Sequence, residues 1–310
     1  MRESQLPLSE VITRLLFSGD DIRHIDLVRL SDLNDEELAQ FKRAWSSAHL
    51  ERRVPLISGL CSLGEDDARL DFTRIFKFCL DDIDPGIRIK ALDGLELEDK
   101  YNFALPVIKT LQMDESQEVR AAAVRVMGKF ALMAELGESP AAVGDDIFDA
   151  LLAVLENPAE PDSLRSRALE SISPFRQEPV ASYIDDFYFS DNPSFKVSAI
   201  YAMGRNCDSR WLDYLNEELH SVNAQLRYEA ARACGELGDE ATVPGLLDLL
   251  NDTDQEVQEA AIASLGKIGG QKAKNALNRL KNSPENRIKE AAVAALTELE
   301  ICQDPLSSSS

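Results

Sequence analysis

Histidine is almost missing from this chain, and with it the side chain that most often holds a metal or moves a proton near neutral pH. Only His24, His49 and His220 occur; they are far apart and none is followed by Glu. The five cysteines (Cys61, Cys79, Cys207, Cys234 and Cys302) are odd in number and lack metal-ligand spacing. They read as buried thiols of a reducing compartment, not as a disulfide framework. There is no glycine-rich phosphate loop, zinc-finger spacing or nucleophile elbow. Gly and Pro are sparse, at 15 and 13 residues, and β-branched runs are few, so sheet is disfavoured and about two-thirds or more of the chain is expected to be helical. No apolar run approaches the roughly 18 residues that span a bilayer, and MRESQLPLSE has no signal-peptide pattern. Positive charge is also short, with 33 basic against 55 acidic residues and a net charge of −22. Such a surface repels phosphate backbones and anionic lipid. These absences predict a soluble, cytoplasmic, non-catalytic protein without metal or cofactor that binds neither nucleic acid nor membrane.

What is present is a period. SVNAQLRYEAARACGELGD, beginning at Ser221, and NDTDQEVQEAAIASLGKIGG, beginning at Asn251, share one design, with Arg227 and Gln258 at equivalent places 31 residues apart. The same template recurs at Arg53, Arg88, Arg120, Arg165, Lys196, Arg227, Gln258 and Lys289, with gaps of 35, 32, 45, 31, 31, 31 and 31 residues. Counting from this reference residue, position +3 is Leu56 and then Ala91, Ala123, Ala168, Ala199, Ala230, Ala261 and Ala292. Position +7 is always apolar and larger, as at Met127, Met203 and Leu265. Positions −1, +3, +4 and +7 form one face of a helix, and alanine at +3 implies close helix packing. Gly235 and Gly266 follow at +8, where a helix meets another backbone or begins to end. Twelve residues upstream stand the anchors of a preceding helix: Phe76, Ile108, Ala153, Ile184, Leu215, Leu246 and Leu277. Pro106 and Pro244 open two of these helices. Each repeat is thus a helical hairpin, and the expected architecture is an all-α solenoid of about eight antiparallel hairpins.

These residues resemble the short HEAT repeat, particularly the variety of phycobilisome lyases, in which a turn Asp precedes Val-Arg and an Ala-rich helix ending in Leu-Gly. The matching residues are Asp114 with Val119 and Arg120, Asp82 with Ile87 and Arg88, and Asp252 with Val257. The resemblance covers about residues 35–299. It implies a scaffold or adaptor that recognises a protein through a concave face lined by the second helix of each hairpin. It also allows an alternative, a bilin-lyase-like factor that binds a tetrapyrrole and assists its attachment to a protein. HEAT-like deoxyhypusine hydroxylases hold iron through repeated His-Glu dipeptides, which this chain lacks.

Around the array at 35–299, residues 1–34 read as an N-terminal capping segment, with a helix at Ser9–Phe17 and a packed connection carrying Ile25, Leu27, Val28 and Leu30. Asn34 and Glu37 form a capping-box pair ahead of the buried stripe Leu38, Phe41 and Trp45, and Pro55 kinks or delays the helix that follows. The long 45-residue gap places an inserted loop at 134–146, either a surface excursion or a partner-contacting lid. Residues 300–310 read as a disordered tail.

Two sets of residues recur once per repeat. Asp or Ser stands six places before the reference residue in most repeats, which suggests a turn that caps the helix and accepts from an Arg, forming a structural ladder. Positions +5, +9 and +1 of the second helices project to solvent and gather Arg125, Lys129, Tyr201, Arg205, Tyr228 and Arg232. Arg and Tyr are frequent interface anchors, so this strip is the candidate site for an acidic segment of a protein partner or an anionic ligand. An ordinary solvated face is the competing reading.

Overall fold

The chain, described by a computed structural model over residues 6–97 and 101–303, is helical throughout, with no strand among these residues. It divides into two compact units, residues 1–153 and 154–310, and the division falls within a helix that lies inside the 45-residue gap. In the first unit α1 (Leu8–Phe17) and the short α2 (His24–Val28) precede the hairpins α3 (Asp35–Ser47) with α4 (Leu50–Asp66), α5 (Thr73–Cys79) with α6 (Pro85–Glu96), and α7 (Ala104–Met113) with α8 (Gln117–Glu135). α9 (Ala141–Glu156) leads out of this unit. The second unit continues with α10 (Asp162–Ile172), then pairs α11 (Glu178–Tyr188) with α12 (Pro193–Asn206) and α13 (Leu212–Glu218) with α14 (Ala224–Leu237). Two more hairpins follow, α15 (Val243–Leu249) with α16 (Gln255–Ile268) and α17 (Gly270–Leu280) with α18 (Asn286–Gln303).

Within each unit second helices pack on second helices, α4 on α6 on α8 and α10 on α12 on α14 on α16 on α18. The alanine column explains how they approach: every +3 residue from Leu56 to Ala292 is fully buried. Gly204, Gly235 and Gly266 bring the stack closer still. A Cβ on Gly204 would lie 2.6 Å from the Cα of Ala233, and one on Gly266 would lie 2.8 Å from the carbonyl oxygen of Ala295. Neighbouring helices therefore touch backbone to backbone, which only glycine permits.

Helix starts are set by the residue four places before the reference position. The side chains of Asp84, Ser116, Asn192, Asn223 and Asp254 accept hydrogen bonds from first-turn N–H groups of α6, α8, α12, α14 and α16. Asn34 and Glu37 close the expected capping box. Pro106 and Pro244 lie in the first turns of their helices, whereas α4 runs through Pro55 instead of starting after it.

Several expectations change in register. Ala153 is exposed, and α9 anchors through Ile147, Leu151 and Leu155, because the added residues before it shift the buried face. Those added residues are not a loop: α8 extends to Glu135 and α9 begins at Ala141, leaving 136–140 as the connection. Ile25 points to solvent while Leu27 and Leu30 are buried. Cys61, Cys79 and Cys234 are buried thiols, but Cys207 is exposed, ending α12 with φ of 53°. Leu296, at +7 on α18, is only half-buried, since among the described residues no further helix packs on α18. Helix α18 runs into the expected tail as far as Gln303; residues 1–5 and 304–310 lie outside the described residues.

Candidate functional site: the face of the second helices

The recurrent reference residue and the turn acid form one repeating joint. Arg88 donates to the carbonyl oxygen of Asp82 in its own turn, at 2.9 Å, and reaches the next turn as a bidentate pair with Asp114 at 2.7 and 2.8 Å. Arg227 repeats this, on the Ser221 carbonyl at 2.8 Å and on Asp252 at 2.6 and 2.8 Å. Gln258 keeps the first half of the joint through the Asp252 carbonyl at 2.7 Å. Arg53 pairs with Asp82 at 2.7 Å, and Trp45 Nε1 donates to the same carboxylate at 2.7 Å. Each of these carboxylates also accepts from the backbone N–H two residues on, so it orders its turn and does not itself cap the helix. Hydrogen bonding from Arg227 holds the Asp252 carboxyl below the usual range. Where the turn residue is Ser221, Glu218 takes over, buried against Lys196 at 2.6 Å and the Tyr188 hydroxyl at 2.8 Å. Arg165 instead lies over the rings of Phe187 and Phe195. The ladder is structural, and it removes the recurrent arginines from the pool of binding groups.

The six strip residues lie in both units. Arg125 and Lys129 stand on α8 of the first. Arg125 pairs with Asp93 at 2.6 Å and also with Glu96, and Lys129 donates to the Glu96 carbonyl at 2.8 Å. In the second unit Tyr201 and Arg205 stand on α12, and Tyr228 and Arg232 on the adjacent α14. Arg205 approaches Glu236 at 4.0 Å, and Lys267 binds the same carboxylate at 2.6 Å. Arg232, with its side chain 50% exposed, lies over the Tyr228 ring and 3.6 Å from Glu229. The strip is therefore not a bare positive surface: Arg125 and Arg205 meet acids one repeat away, Lys129 meets a backbone carbonyl there, and Arg232 meets Glu229 of its own helix.

Glu229 is the residue that pattern reading passed over. Its side chain is only 15% exposed, one carboxylate oxygen has no hydrogen-bond partner, and burial pushes its pKa up, against Arg232 and reinforced by Glu170. Tyr228, Arg232, Glu259, Ala260, Ala263 and Lys267 line an open groove of about 440 Å³ between α14 and α16. A second groove, about 560 Å³, runs along the N-terminal ends of α10, α12 and α14, where Ser198 donates to Glu170 at 2.6 Å. Among the described residues no group of three or more His, Cys, Asp or Glu is placed to hold a metal ion, and the three histidines are exposed and separate. No helix among them is long and apolar enough to cross a membrane.

This geometry can be set beside known proteins. Residues 211–297 match the family model for HEAT repeats. The fold is a HEAT-type α-solenoid. Yeast importin-β (Kap95p) is similar, with 14% identity and a TM-score of 0.56 over 97% of this chain and 47% of that one. The same protein in a Kap95:Nup1 complex gives 14% identity and a TM-score of 0.55 over 98% of this chain and 47% of that chain. The chain thus spans about half the length of importin-β. The E. coli protein YIBA matches at 18% identity with a TM-score of 0.47, covering 91% of this chain and 98% of its own. No curated protein matches the sequence. At such identities the likeness is one of fold.

Proposed function

We propose that this chain is a non-catalytic scaffold that binds a protein partner on the face of its second helices, in the second unit, at Tyr201, Tyr228 and Arg232. The observation that carries this reading is the open groove of about 440 Å³ beside Tyr228 and Arg232, an aromatic ring and a half-exposed guanidinium stacked on it. Arg and Tyr are over-represented among residues whose loss weakens an interface. The groove lies on helices packed closely where Gly235 meets Ser264, so a partner meets a preformed surface. Importin-β, similar in fold, is found in a complex with Nup1, which supports protein recognition as the use of such a stack. Arg125, Lys129 and Arg205 contribute less, because carboxylates one repeat away already meet the two arginines and the Glu96 carbonyl holds Lys129. Of the residues behind the phycobilisome-lyase resemblance, Asp82, Asp114 and Asp252 order turns, Arg88 joins the ladder, and Ile87, Val119 and Val257 are buried in the core, so they give the tetrapyrrole alternative no support.

The test is affinity capture from native lysate with the wild type and with Tyr201→Ala/Tyr228→Ala/Arg232→Glu, both shown by circular dichroism to be folded. A discrete protein retained by the wild type and lost by the variant supports the proposal. Equal retention by both overturns it.

A further inference from the structure

Down the second unit, the first helix of each hairpin carries one sign of charge, and the last reverses it. α11 carries Glu178, Asp185 and Asp186, α13 carries Asp213, Glu217 and Glu218, and α15 carries Asp248; none of these helices has a Lys or Arg. α17 carries Lys272, Lys274 and Arg279, is followed at its C-cap by Lys281, and has no acid at all. Indeed no Asp or Glu occurs from Ala260 to Pro284, in a chain whose net charge is −22. These four cations differ from the strip in that no carboxylate among the described residues neutralises them.

Their placement is ordered. Ala273, Ala276 and Leu277 bury one side of α17. Lys272 and Arg279, seven residues apart, flank that side on one edge, and Lys274 and Lys281, also seven apart, flank it on the other. At 1.5 Å per residue each rail spaces its charges by about 10.5 Å. Between the rails the exposed ridge is a stripe of amides: Gln271, Asn275, Asn278 and Asn282. Three residues of an extended polyproline II chain rise about 9 Å and bring the side chain back to the same side. An acidic segment lying along α17 can therefore place successive carboxylates against a rail while the amides meet its peptide groups.

We propose that α17 is a docking surface for an extended, acidic segment of a partner protein, separate from the face of the second helices. Charge complementarity selects the occupant. A long duplex or a flat anionic membrane would also bring its charge against the acidic helices α11, α13 and α15, whereas a single acidic segment engages α17 alone.

The experiment uses the full chain and a fluorescent oligo-glutamate peptide, with anisotropy read at low and moderate salt. The wild type should bind saturably and more weakly as salt rises. Lys272→Gln/Lys274→Gln/Arg279→Gln/Lys281→Gln should weaken binding by about tenfold or more, since four exposed pairs are lost together. Tyr228→Ala/Arg232→Ala should bind as the wild type does, which separates this surface from the one proposed above. The four-site substitution is confined to side chains outside the core, and its helical circular dichroism should match the wild type. No saturable binding, binding within about twofold after the four substitutions, or loss only in the Tyr228/Arg232 variant would overturn the proposal. Equal affinity for oligo-thymidylate or phosphatidylserine vesicles would overturn the acidic polypeptide as occupant.

Discussion

Gly235→Ala inverts a common expectation. In a helix interior Gly→Ala ordinarily stabilises by about 0.5–1 kcal/mol, because alanine restricts the unfolded chain and favours the helix. At Gly235 the new Cβ would lie 2.6 Å from Ser264 Oγ, 2.8 Å from its Cβ and 3.0 Å from its Cα. Real carbon contacts are about 3.5–4.0 Å, so α14 and α16 must separate, and overpacking of this kind costs about 1–3 kcal/mol. Subtracting the propensity gain leaves a net loss of roughly 1–2 kcal/mol. Gly64 of α4 is the control: its added Cβ would meet only Leu97 Cδ1 at 3.6 Å and Phe72 Cδ2 at 4.0 Å. Gly64→Ala should therefore stabilise, by up to about 1 kcal/mol. Urea unfolding followed by circular dichroism measures both, and a repeat array can unfold in more than one step, so each phase is fitted separately. Ser264→Gly removes the two nearest atoms, and in a double-mutant cycle it should recover part of the Gly235→Ala loss. A Gly235→Ala protein as stable as the wild type, or a cycle with no coupling, would refute the close-packed stack.

Arg227→Met should cost about 3 kcal/mol, because it leaves the Asp252 carboxylate, with its side chain 6% exposed, without its cation; denaturant midpoints measure this. The low folded pKa of Asp252 means its contribution is present above the unfolded value near 4 and is lost as pH falls through the folded value. The loss caused by Arg227→Met should accordingly shrink in acid, as paired unfolding curves at neutral and acid pH would show. Glu229 has the opposite sign. Its raised folded pKa makes the wild type relatively more stable at low pH and removes that advantage as pH rises through the folded value. Glu229→Gln should thus gain stability at neutral pH and lose the gain in acid. Cys207 holds φ of 53° where Gly238 ends α14 with φ of 74°, so Cys207→Gly should stabilise by about 0.5–1 kcal/mol in the same assay.

The hairpins and their stacking were legible because burial repeats with the helix and with the repeat. The alanine column at +3 and the apolar column at +7 mark the same packed surface in every repeat, and only Leu296, on the last described helix, departs from it. The 45-residue gap was read correctly in length and wrongly in form. Ala, Leu and Met around residue 134 favour continuing α8, and the helix period then carries the buried face of α9 away from Ala153. The turn acids were recognised, but their division of labour was not: the capping residue is two places further on, at Asn192, Asn223 or Asp254.

The strip was the hardest feature to read. Its positions were found by helix geometry, yet its charge state depends on contacts between repeats. The signal was present in the columns: Arg205, Glu236 and Lys267 alternate in sign at +9, and Asp93 and Arg125 do so at +5. Alternating columns neutralise themselves across adjacent helices, as the bridges at Glu236 and Asp93 show. The unpaired cations of α17 carry no such counter-sign, and for that reason they mark a separate surface.

Site-specific photocrosslinking tests the central claim most directly. A photoreactive residue at position 228, on the face of the second helices, should join the chain to a discrete partner in native lysate. The same residue at position 248, exposed on α15, should not. Arg232→Glu should abolish the adduct at 228. Equal crosslinking from both positions, or an adduct at 228 that survives Arg232→Glu, would contradict the account.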